Sequence, residues 1–134
     1  MTKIEVVELS KKVIELAGRK SEILSAGFRA GDFIYTSGQV GRNFLTGKVG
    51  DTIQEQTKQA LENINSVLKN AGASMNDVVK ITVFLQDVKD FDEMNKIYVT
   101  FFDEPKPARS CIVTKLVRPN YKIEIEAIAY KPQK

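Results

Sequence analysis

Between Asp51 and Leu85 the apolar residues change their spacing from three-and-four to two, and this change narrows the kind of domain the chain can build. In DTIQEQTKQALENINSVLKNA, residues Ile53, Thr57, Ala60, Leu61, Ile64, Val67, Leu68 and Ala71 lie three or four apart, which predicts an amphipathic helix over 51–71. Asp51 with Gln54 reads as a capping-box start, and Gly72 sits where a left-handed C-terminal cap is expected. The next segment, VVKITVFL, is β-branched and alternating, predicting a strand over 78–85 with Val79, Ile81, Val83 and Leu85 on one face.

The pattern then repeats. Asp90 with Glu93 opens a second predicted helix carrying Phe91, Met94, Ile97, Tyr98, Phe101 and Phe102, closed by Pro105 and Pro107. RSCIVTKL (109–116) and KIEIEAIAY (122–130) predict two late antiparallel strands around a turn containing Pro119 and Asn120. Upstream, FIYTSGQ (33–39) predicts a strand, paired with ILSAGF (23–28) across residues 29–32. In the first twenty residues, Val6, Leu9, Val13 and Leu16 suit a helix while IEVV suits a strand, and the reading leans to strand. The glycine-rich segment 41–50 joins the sheet to the first helix.

Strands, helix, strand, helix, strands make an α+β domain: one mixed sheet with both helices on a single face. At 134 residues the chain fits one domain, 1–134. Several strands are apolar on both faces, as at Ile112 and Val113, and two helices cannot cover both. A partner subunit is the expected cover.

The composition restricts the chemistry. With no histidine, the chain cannot use imidazole acid–base catalysis, a Ser-His-Asp triad or His-ligated zinc. One cysteine, Cys111, leaves no intramolecular disulfide and fits a reducing compartment. No apolar run approaches the ~20 residues of a membrane span, and the N-terminus has no h-region, so a cytoplasmic location is expected. Twenty basic and seventeen acidic residues, interspersed, give +3, a weak electrostatic case for nucleic acid.

Arg109 stands between the prolines and a strand start, where its planar fork could grip a carboxylate with little loss of freedom, although a strand arginine is more often a surface or interface ion pair. Glu124 and Glu126 share a strand face among Ile and Ala. Either could orient and deprotonate a water, or simply occupy a solvated face beside Lys115 or Lys122. Ser37 and Gly38 close a strand with small residues that allow a ligand near the backbone, and a strand end or bulge accounts for them equally. Cys111 follows Arg109 on the same face, without a neighbour that would make it nucleophilic. Asn95 is an ordinary polar helix residue on its own evidence.

Taken in order, YTSGQ, TGK, EQTKQALENINSVLKNAGAS, DVVKITVFLQD, DFDEMNKIYVTFF, PARSC and KIEIEAIAY closely resemble the RidA/YjgF family of reactive-intermediate deaminases, from about Gly27 to Tyr130. The resemblance implies a chorismate-mutase-like α+β fold, a homotrimer with clefts between subunits, and hydrolysis of enamine and 2-imino acid intermediates to 2-oxo acids and ammonia without a cofactor or metal. By position Arg109 would grip the substrate carboxylate and Glu124 would hold the attacking water. Ser37, Gly38, Asn95 and Cys111 would complete the pocket, Cys111 through its backbone N–H. Two features depart from the family pattern. Leu24 stands where a pocket tyrosine is usual, and the proline before the last strand is shifted to Pro119, while residues 1–20 read as a divergent extension. Two other functions stay open: a non-catalytic trimer binding small 2-oxo acids, and RNA binding or cleavage, since relatives carry translation-inhibitor and endoribonuclease names.

Overall fold

The computed structural model describes residues 11–18 and 21–133. In chain order the elements are β1 (Lys11–Ile14), β2 (Gly27–Ala30), β3 (Phe33–Thr36), β4 (Gln39–Val40), α1 (Ile53–Asn70), β5 (Val78–Leu85), α2 (Phe91–Tyr98), β6 (Ala108–Val113) and β7 (Ile123–Tyr130). They form the predicted α+β arrangement. The sheet runs β1-β2-β3-β7-β5-β6 with β4 also on β7, and only the β5–β6 pair is parallel. Both helices lie on one face, where Leu61, Ile64 and Leu68 of α1 and Met94 of α2 meet Ile81, Val83, Ile123 and Ile125, all fully buried. No helix of the described residues is long and apolar enough to cross a membrane.

Several boundaries move for local reasons. The cap of α1 is Thr52, not Asp51: its hydroxyl accepts the Glu55 N–H at 3.1 Å, so the capping-box spacing is met one residue later. Gly72 does take the left-handed conformation after the helix, at φ +79°. The upstream hairpin pairs Gly27–Ala30 with Phe33–Thr36, turning at Gly31 and Asp32, and leaves Ile23, 91% exposed, outside the sheet. On β5 a register shift between Val78 and Lys80 turns Val78 into the core and Val79 outward, against the alternation read from sequence. A short 3-10 turn, Val88–Asp90, precedes α2, and Asp90 makes no side-chain cap bond there.

The late strands depart furthest from the sequence expectation of an antiparallel pair. β6 and β7 are not neighbours, because β5 lies between them. Burial explains the order: every second residue of β7 and most of the inward face of β5 are buried, whereas β6 has no buried residue and takes the edge. Of the first twenty residues, Lys11–Ile14 is a strand paired with β2, while the IEVV segment lies outside the described residues.

Candidate functional site

Arg109 enters on the edge strand β6 in register with Ile81, so its side chain points to the helix side of the sheet. Three side chains of α2 receive it. Nη1 donates to Asn95 Oδ1 at 2.7 Å, and the guanidinium carbon lies 4.7 Å from the Tyr98 ring centroid and 5.7 Å from that of Phe91. Phe91, Asn95 and Tyr98 stand four and three residues apart, which puts them on one stripe of the helix. Among the described residues no carboxylate lies within ion-pair distance of Arg109. A guanidinium so placed, with no carboxylate partner among the described residues, has the fork geometry that suits a carboxylate.

Cys111 follows on the same face, half-buried against the core. Burial pushes its thiol pKa up and Arg109 only partly opposes this, so the thiolate is disfavoured. Burial likewise raises the Tyr98 phenol, whose hydroxyl is buried without a hydrogen-bond partner.

Glu124 lies on the other side of the sheet. Its neighbours Ile123 and Ile125 point into the core, so Glu124 and Glu126 project away from the helices, on a shared face as predicted. The carboxylate packs on Gly38, where an added Cβ would come within 2.7 Å of the Glu124 Cδ. A side chain at position 38 would therefore displace the Glu124 carboxylate. Burial raises the Glu124 pKa, and the like charge of Glu126 raises it further. Ser37 is fixed beside it, its N–H donating to Ala26 O at 2.8 Å and its hydroxyl to Ser25 O at 2.5 Å. Ser37, Gly38 and Leu24 line a cavity of about 690 Å³ together with residues of β1.

The candidate residues therefore fall into two groups. Leu24, Ser37, Gly38 and Glu124 gather at one, and Asn95, Arg109 and Cys111 at the other. Arg109 and Glu124 emerge on opposite faces of the same sheet, so within one chain they cannot hold the same small molecule. Phe91 and Tyr98, which the helical spacing assigns to the apolar stripe of α2, also cradle Arg109, a role that periodicity alone does not signal.

A family model described as Endoribonuclease L-PSP matches residues 19–131. A RutC family protein of Pyrococcus abyssi is 44% identical over 127 residues, covering 92% of this chain and 99% of its own. The 2-iminobutanoate/2-iminopropanoate deaminase of Escherichia coli K12 is 41% identical over 108 residues, covering 78% of this chain and 84% of its own. Among solved structures, that of E. coli TdcF with bound serine matches with a TM-score of 0.83 at 36% identity, over 90% of this chain and 98% of the other.

Proposed function

Because the chain belongs to the endoribonuclease L-PSP family, which takes in the RidA and YjgF proteins, we propose that it hydrolyses 2-imino acids and their enamine tautomers to 2-oxo acids and ammonia. The observation that carries this reading is an arginine gripped by Asn95, Tyr98 and Phe91 with no acidic partner among the described residues. Its fork takes the substrate carboxylate, and that placement orients the neighbouring C=N carbon. Water adds its oxygen to this carbon. Glu124, its pKa raised by burial, takes the water proton and passes it to nitrogen. The hydroxyl proton of the adduct follows to nitrogen, the C–N bond breaks, and a C=O and ammonia remain. Nothing is oxidised or reduced.

Since Arg109 and Glu124 face opposite ways, the working site joins Arg109 of one copy to Glu124 of the next. We assign a homotrimer, in which unlike patches meet head to tail and close a ring. The uncovered sheet face supports association: Val13, Phe28, Tyr35, Ile112 and Tyr130 are large, apolar and exposed on the side away from the helices.

The test generates 2-aminoacrylate in situ and follows 2-oxo acid release. Wild type accelerates it, Arg109→Ala falls to the spontaneous rate, and Glu124→Gln slows it about 10²–10⁴-fold. A wild-type protein that matches the spontaneous rate across several imines overturns the reading.

A further inference from the structure

A half-open cavity of about 690 Å³ is far larger than the imine of a three-carbon acid requires, and its walls are mostly apolar. Val13, Ile14, Leu16, Leu24, Ala26 and Phe44 make them largely apolar. The one charged residue among the described lining is Glu15, an anion. At the near end the wall is Ser37 and Gly38, the glycine on which Glu124 packs. Glu124 is therefore one residue removed from the cavity, behind Gly38, and the described lining beyond it is mostly apolar, with Ser21, Ser25 and Gln39 as its remaining polar residues.

An imine carbon of this class has three substituents: a carboxylate, a nitrogen and a side chain. Arg109 receives the carboxylate and is not part of the cavity wall, while Glu15 repels that end of the molecule. The nitrogen must stay within reach of water and Glu124. Only the side chain is left for the apolar space, and burying it there is favourable in proportion to its area. Leu24, 57% exposed in the single chain, offers it an uncovered apolar surface.

We propose that the space walled by Leu16, Leu24 and Phe44 receives the substrate side chain, so that the protein prefers 2-imino acids with long or branched apolar side chains to those carrying a methyl group. The inference rests on the imine-hydrolysis reading above.

The test supplies imines of leucine, phenylalanine and alanine from a broad-specificity amino-acid oxidase and compares kcat/KM. The leucine-derived imine is expected to exceed the alanine-derived one roughly tenfold or more. Leu16→Trp fills the cavity and brings the ratio to one or below. Leu24→Trp, at an exposed position where folding is not at stake, lowers it in the same direction. Calorimetry with 4-methyl-2-oxopentanoate against pyruvate reads the preference without turnover, and the longer acid is expected to bind at least several-fold tighter. Equal kcat/KM values with equal binding, or a ratio unmoved by either tryptophan, overturn this inference. Turnover of no imine at all, with the binding preference intact, overturns the hydrolysis reading and leaves the side-chain pocket standing.

Discussion

Glu124 is held where burial and the Glu126 charge both oppose its ionisation. A carboxyl whose folded pKa lies above its unfolded value of about 4.5 binds its proton more tightly in the native state, so stability falls as pH rises through the interval between the two. Glu124→Gln removes that loss. Thermal denaturation followed from acid to neutral pH should show the variant at least as stable as wild type at pH 7 and flatter across the interval, while its turnover collapses. A variant that is less stable at neutral pH would place Glu124 in a stabilising contact instead. Arg29 is the opposite case, a charge spent on structure: buried on β2, it donates to the carbonyls of Gly31, Lys131 and Ala71 at 3.1, 2.8 and 3.0 Å. It ties the β2–β3 turn, the end of the sheet and the C-terminus of α1 together. Arg29→Met is expected to cost about 3 kcal/mol in urea unfolding, because three carbonyls lose a charged donor. No activity role attaches to it.

At the scale of elements, α1 does more than cover the sheet. Gln56 is fully buried among its apolar residues, and its amide donates to Gly50 O at 2.8 Å and Asn120 O at 2.9 Å while accepting from Lys122 N at 2.8 Å. One side chain thereby fixes the loop before the helix and the turn before β7, the strand that carries Glu124. Helical periodicity flags apolar residues, so a buried glutamine on the inner stripe escaped the sequence reading. Gln56→Leu keeps the volume and orphans these backbone groups, which should cost about 2–4 kcal/mol. Hydrogen exchange should accelerate at the Lys122 amide. An unchanged exchange rate there would mean the turn holds itself.

For the whole molecule the decisive question is which chain supplies which group. Arg109→Ala and Glu124→Ala are each inactive in the proposed scheme. Unfolded together in equal amounts and refolded, they should regain about one quarter of wild-type activity, because a cleft between copies is intact whenever one parent supplies Arg109 and the other Glu124. Mixtures that stay inactive while forming mixed assemblies would rule out a site shared between Arg109 of one copy and Glu124 of the next.

The two helices, the long strands and the candidate residues were legible in the sequence. Period-two and period-3.6 patterns place Val78–Leu85 and the body of α1, since each records which backbone directions face the core. The PARSC and IEIEA segments mark Arg109 and Glu124 through their resemblance to one family. The folded chain adds that β5 separates β6 from β7, that a register shift turns Val79 outward, and that Arg109 and Glu124 leave the sheet on opposite sides. Local patterns report a residue's face within its own element. Strand order, and with it which faces meet, depends on burial summed over the whole sheet, and no segment of the chain carries that sum.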